Sequence, residues 1–333
     1  SSEKQWQPVL SKLADFNPET VESFYKNKQL YELAWQPIEK ILSKSKIVYL
    51  SAVQGYSQGL SFPALKKPDN TFLGSEKVIR MVLSTSQIDI QNNFNLAKKP
   101  VKALLVGGVD YKCDGEQLFS KPLLRAGEEV AEIKQVIEKV KGKCDLLKDD
   151  VATEAAFTKA IEQPYNLIHL ATHGTSMKKR VANATELTSI FAKQQDPGFH
   201  SALLMSGSDC AWTNQKQLGA DDGVLTVKEI QSTIALSADM VVLSACQSAL
   251  GDSEGSEGLL GLYRAFRSAG AVNVLASLWN VEDATASQFM RHFYNQLATP
   301  TATIESAFEA AQTKMRNTPG VPVSSWAGFV LMH

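Results

Sequence analysis

The sequence predicts an α/β protein built on a mostly parallel sheet with helices on both faces, and three observations carry that prediction. Apolar runs rich in β-branched residues lie at 101–106 (VKALLV), 165–174 (YNLIHLATHG), 240–251 (MVVLSACQSALG) and 272–279 (VNVLASLW). They lack the strict polar alternation of a half-buried strand, so they read as strands buried on both faces. Helical patterns separate them, and strands alternating with helices argue a doubly wound sheet. Finally, two of the runs stop at one reactive side chain among small neighbours: His173 before Gly174, and Cys246 after Ser244-Ala245. The carboxyl ends of such strands are where open α/β sheets bind ligands.

Taken in order, 21–44 reads as a helix with Phe24, Leu30, Leu33 and Ile38 on one side and Pro37 as a kink. Strands are expected at 46–53, 60–65 and 78–83. Residues 1–96 thus form a small α+β portion with no reactive constellation, and after the polar linker 91–100 the remainder, 97–333, takes the α/β pattern. There the strand 101–106 runs into Gly107-Gly108, and helices at 126–141 and 154–162 precede the histidine run. The stretch 175–201 is polar and poorly periodic, a surface insertion beside the site, and 221–232 reads as a turn, a short strand and a helix start. A helix at 257–269 follows the cysteine run with Gly270 as its cap, and the strand 272–279 and helices at 284–297 and 304–316 complete the pattern.

Length and composition permit this fold and narrow the partners. The chain has 333 residues, 44% of them hydrophobic, enough for one large core or two smaller ones. Its 34 Lys and Arg against 35 Asp and Glu leave a formal charge of -1, so there is no global footprint for nucleic acid or an anionic membrane. No run reaches the roughly 18 to 20 apolar residues of a membrane span, and the polar start SSEKQWQ is not a signal peptide. Four cysteines (Cys113, Cys144, Cys210 and Cys246) without C-x-x-C spacing suggest neither a disulfide framework nor a zinc site, so a reducing cytoplasm fits best. The Ser1-Ser2 start without a Met predicts a natural chain that extends upstream.

Cys246 taken alone reads as a small core hydrophobe. Its place after the apolar run, before the polar Gln247-Ser248 and a Gly-rich loop, makes the thiol reachable by solvent. A neighbouring imidazole or peptide dipoles would then favour the thiolate. Of the five histidines, His173 alone sits where the chain turns outward; His169, four residues earlier inside the run, reads as a core residue. The N–H groups of Gly174 and Cys246 are candidate oxyanion donors.

Several blocks carry a family resemblance: LYELAWQPIEKIL, IVYLSAVQGYSQGLSFPAL, IHLATHG, DDGVLTVKEI, VVLSACQSALG, EGLLGLYRAFRSAGAVNVLASLWNVEDATASQFMRHFYNQL and the terminal SSWAGFVLM. Together they resemble the CHAT domain, a caspase-like class of cysteine protease (clan CD) related to separase and, more distantly, to caspases and gingipains. The resemblance implies a caspase-like sheet sandwiched by helices. It also implies a catalytic dyad of His173 and Cys246, oxyanion donors at Gly174 and Cys246, no metal and no cofactor. Residues 1–96 become a degenerate, non-catalytic portion that braces a catalytic portion over 97–333. It further implies regulated intracellular proteolysis of a protein or peptide substrate, as in bacterial defence or cell death, with an upstream tetratricopeptide-repeat segment or a regulatory protein as partner. The caspase pattern Q-A-C-[RQG]-G is absent, so aspartate specificity is not carried over.

The segment Leu278 to Asp283 resembles the separase-type L-W-x-V-x-D stretch that lines the pocket for the residue before the scissile bond, which makes Asp283, Trp279 and, on the cysteine strand, Ser244 candidate substrate contacts. Asp283 also suits a plain structural role as N-cap of the helix that follows it. Two rival functions remain open. Gly251 to Gly255 matches G-x-S-x-G, with Asp283 and His292 following in Ser-Asp-His order, the formal pattern of a serine esterase using Ser253. A caspase-like scaffold that has lost its chemistry is the other, since a fold never guarantees activity.

Overall fold

The computed structural model describes residues 18–51, 60–82, 94–98, 100–115, 119–176, 201–212, 221–244 and 255–333. Its strands are β1 (Ile47–Ser51), β2 (Val78–Val82), β3 (Lys102–Val109), β4 (Lys143–Asp149), β5 (Leu167–Ala171), β6 (Gly174–Ser176), β7 (Ser201–Leu204), β8 (Val224–Thr226), β9 (Met240–Leu243), β10 (Asn273–Ser277) and β11 (Phe329–Met332). Eight of them form one sheet in the order β1-β2-β11-β10-β9-β5-β3-β4, and β6-β7-β8 form a small second sheet. Every pairing in the large sheet is parallel except β10 with β11. The reversal there sets β1, β2 and β11 against the direction of the other five strands. β5, β9 and β10 are buried along their whole length, as their unbroken apolar runs require.

The helices are α1 (Pro18–Tyr25), α2 (Gln29–Ala34), α3 (Gln36–Leu42), α4 (Ala126–Lys139), α5 (Glu154–Ala160), α6 (Val227–Thr233), α7 (Gly255–Ser268), α8 (Asp283–Leu297), α9 (Ile304–Arg316) and α10 (Val323–Trp326). α4 buries Ala126, Glu129, Val130, Ile133 and Ile137, a stripe at helical spacing, and packs on β3, β4 and β5. α8 lies between α4 and α9, while α7 packs on β10 and against α6. Close approach of α4 to the sheet depends on Gly107 in β3, where a Cβ would meet Val130 Cγ1 at 2.7 Å and the Ala126 carbonyl at 2.8 Å. α6 starts in a capping box between Thr226 and Glu229, which satisfies end N–H groups that packing would leave bare. Among the described residues no helix is long and apolar enough to cross a membrane.

The α/β class, the mostly parallel sheet and the flanking helices are as expected; two local expectations are corrected. The helix over 21–44 is three helices, because the Asn27 side chain accepts the Gln29 N–H in a tight turn and Trp35 leaves helical geometry before Pro37. The strand over 60–65 is a 3₁₀ turn at Phe62–Ala64, where Pro63 fits a helical first turn and would leave a strand without a donor. The terminal FVLM is a sheet strand, β11, wedged between β10 and β2.

One buried acid makes the fold pH-sensitive. Glu154 opens α5, accepts the Gly223 N–H at 3.3 Å, and is pushed up to about 8 by burial first, then by Glu229, Asp222 and Asp221. In the unfolded chain it titrates near 4.5. Between those values the folded state holds the extra proton, so stability is highest below the lower one and falls as pH rises through the upper. The thermal midpoint should therefore drop between about pH 5 and pH 9, and Glu154→Gln should flatten that slope while raising the midpoint at the alkaline end. An unchanged slope in the variant would refute the assignment.

Candidate active site

β9, β5 and β3 are neighbours, so the chain leaves their carboxyl ends at one edge of the sheet. Beyond Ala171 only Thr172 and His173 separate β5 from β6, which places His173 at the junction of the two sheets. A buried chain must pair its backbone groups here without water. The Leu204 N–H donates to the His173 carbonyl at 2.8 Å, and the His173 N–H donates to the Tyr111 hydroxyl at 3.2 Å. Thr172 has one hydroxyl proton, which goes to the Leu204 carbonyl. Its contact with the Tyr111 hydroxyl at 2.9 Å is thus donated by Tyr111. Burial raises that phenol above its ordinary range and keeps it a donor.

The imidazole of His173 is partly exposed, and two contacts among the described residues hold it. Tyr111 lies against it with ring centroids 5.0 Å apart, and Nε2 lies 2.7 Å from the Lys121 carbonyl. A carbonyl only accepts, so Nε2 carries the proton and, in the neutral ring, the lone pair is on Nδ1. Lys121 was not foreseen: a backbone carbonyl has no residue-type signature. Tyr111 could have been found by the rule that found His173, since it lies just past the carboxyl end of β3.

A cleft of about 250 Å³ opens beside His173, lined also by Leu123, Glu129, Ser244, Val281 and Asp283. Ser244 is the residue after β9 and is buried. Asp283 is the first residue of α8, not its N-cap; Glu282 holds that place, and the Asp283 carboxylate instead accepts the Arg125 N–H at 2.7 Å. Burial raises the Asp283 pKa, with Glu129 adding to the rise and Arg125 and His173 opposing it. Glu129 is buried, and its Oε1 lies 2.9 Å from Nε2 of His169, whose Nδ1 lies 3.0 Å from the Tyr294 hydroxyl. His169 is fully buried, the core residue expected.

Other expectations divide. Trp279 does not line the cleft: its indole is buried, donates to the Ser324 carbonyl at 2.7 Å and packs against Tyr25. Gly174 begins β6 directly after His173, opposite Leu203. Cys246, Ser253 and the 177–200 part of the expected insertion lie outside the described residues; at its ends Ser176 pairs with Ser201. The esterase pattern is not assembled, since Asp283 and His292 sit nine residues apart on one helix, about 13 Å along its axis.

Cys113 and Cys210 form a disulfide, with Cα atoms 4.8 Å apart, which corrects the expectation that the cysteines mark no disulfide and removes the ground for a reducing cytoplasm. It ties the loop after β3 to the 3₁₀ turn Ser208–Trp212, and a separation of 97 residues is nothing a spacing rule detects. Digestion without reductant should release a Cys113–Cys210 cross-linked peptide. Cys113→Ser should cost up to about 4.7 kcal/mol, the loop-closure value for a bridge of this span. Separate Cys113 and Cys210 peptides from the native protein would overturn the pairing.

A family model described as CHAT domain matches residues 26–333. Tetratricopeptide repeat protein 28 of Mus musculus is 37% identical over 99 residues, covering 30% of this chain and 4% of that protein. Its Homo sapiens counterpart is 24% identical over 337 aligned residues, covering 92% of this chain and 13% of that protein. The chain thus spans a small part of the curated relatives it matches. Among solved structures, the Saccharomyces cerevisiae separase–securin complex is similar with a TM-score of 0.46 and 15% identity, covering 82% of this chain and 14% of that one. The Arg specific cysteine proteinase gingipain R is similar with a TM-score of 0.48 and 11% identity, covering 95% of this chain and 67% of that one.

Proposed function

We propose that this chain, which belongs to the CHAT domain family, is a cysteine endopeptidase in which His173 and Cys246 act as a dyad. The observation that supports this best is the register of the two central strands. β5 and β9 are parallel, with Leu167 opposite Met240 and Leu170 opposite Leu243, an offset of 73 residues; 73 residues also separate His173 from Cys246. Each of the two residues thus follows the last pair of the ladder by three residues of chain, which supports the pairing of imidazole with thiol.

The chemistry follows from the tautomer. With the Nε2 proton held by the Lys121 carbonyl, Nδ1 takes the thiol proton as Cys246 Sγ attacks the scissile carbonyl. The N–H groups of Gly174 and Cys246 hold the oxyanion. Collapse expels the amine, protonated from Nδ1, and leaves a thioester; His173 then deprotonates water, which hydrolyses it. These steps need no metal and no organic cofactor. Residues 1–96 brace this machinery, and the reading extends to regulated proteolysis, as in bacterial defence or cell death, under a tetratricopeptide-repeat segment or regulatory protein.

Cys246→Ala should abolish peptide cleavage with the fold intact, and His173→Ala should lose on the order of 10²–10⁴-fold, while Cys144→Ala retains turnover. Cleavage by the Cys246→Ala protein would exclude the mechanism; a wild-type protein inert to a thiol-directed probe would point to the scaffold.

Asp283 and Ser244 are the substrate contacts we carry forward. A carboxylate on the cleft wall beside His173 suits a basic side chain before the scissile bond, through a charge-assisted pair. A scan of that position should show preference for Arg or Lys in the wild type and its loss in Asp283→Asn. An apolar optimum indifferent to the substitution would leave Asp283 only its bond to Arg125.

A further inference from the structure

Resting on that dyad, we propose that Asp209 is a positioning residue for His173: its carboxylate clamps the Phe119 and Ser120 backbone and so places the Lys121 carbonyl that orients the imidazole. Asp209 sits in the 3₁₀ turn Ser208–Trp212 and is fully buried. A carboxylate removed from water must be matched by donors. Its Oδ2 accepts the Phe119 N–H at 3.0 Å, and the Ser120 N–H reaches Oδ1 at 3.1 Å and Oδ2 at 3.3 Å. The next residue, Lys121, carries the carbonyl on His173 Nε2. Asp209 also donates its own N–H to the Tyr111 carbonyl at 3.0 Å, and its neighbour Cys210 is bridged to Cys113, two residues beyond Tyr111. The Tyr111 and Lys121 segments, which touch the imidazole, are therefore both tied to this one residue.

The residue type matters. Two successive N–H groups converge on one side chain, and a carboxylate can accept with both of its oxygens. An amide of the same shape accepts with one and turns an NH₂ toward the other donor. Ser120 is itself buried, and its N–H would lose the 3.1 Å acceptor and keep at best the longer 3.3 Å one, shared with the Phe119 N–H. Phe119 is 56% exposed, and without the clamp little packing would hold this stretch of loop. Displacement of a positioning group by about 1 Å costs about 10²-fold in rate.

The test uses the whole chain carrying ¹⁵N-labelled histidine, with the His173 signal assigned from His173→Gln. In the wild type His173 should be the Nε2–H tautomer. In Asp209→Asn the Nδ1–H form should appear, the pH profile of peptide cleavage should shift, and kcat should fall about 10²-fold at unchanged KM. A folded Asp209→Asn protein with the wild-type tautomer and pH profile overturns the proposal. If the variant does not fold, amide exchange in the wild type decides: protected Phe119 and Ser120 N–H groups support the clamp, and exchange at open-loop rates overturns it. Tautomer and exchange are read without turnover. Failure of the dyad, seen as cleavage by Cys246→Ala or an inert wild type, is thus distinguishable from failure of the clamp.

Discussion

The site depends on how a chain leaving a wholly buried parallel strand satisfies its backbone. Past Ala171 the chain leaves the β5 ladder, and the polar groups of buried Thr172 and half-buried His173 need partners. They are met by a directed series: the His173 N–H to the Tyr111 hydroxyl, that hydroxyl to Thr172 Oγ1, and Thr172 to the Leu204 carbonyl. Leu204 returns its N–H to the His173 carbonyl. Each donor has one acceptor, so the backbone at His173 has little freedom, and the small antiparallel sheet is anchored to the large one at that residue.

Two carboxyls reach the same cleft with different tasks set by their partners. Glu129 is held beneath it by His169, itself bonded to Tyr294, a buried network that joins α4 and α8 to the central strand β5. Asp283 joins the same two helices at their N-terminal ends through the Arg125 N–H. Burial and Glu129 oppose its charge, whereas Arg125 and His173 favour it. On the outer surface Arg291 and Glu132 join α8 to α4 again, with two contacts of 2.7 Å, though an exposed pair adds less.

Much of this was legible in the residues. Unbroken apolar runs marked β3, β5, β9 and β10, because a strand covered on both faces has no polar position to reveal a period. The reading of 221–232 as a turn, a short strand and a helix start matches β8 and α6, whose capping box between Thr226 and Glu229 is local chemistry. The 60–65 and 21–44 segments misled for the converse reason: short apolar stretches carry no information on pairing, and Pro63 and Asn27 redirected the backbone. The direction of β11 depended on which strands it would lie between, a tertiary matter.

By itself the sequence determined the class of the fold, the strand that leads to His173 and the candidacy of His173 and Cys246, because strand burial and strand ends are written in runs of adjacent residues. Tertiary structure alone decided the Lys121 carbonyl on Nε2, the Asp209 clamp, the Cys113–Cys210 bridge, the burial of Trp279 and the turn of Asp283 toward Arg125. Each of these joins chain segments far apart in sequence, and most run through backbone atoms that every residue type shares. No local pattern encodes such contacts; they exist only once packing has brought the segments together.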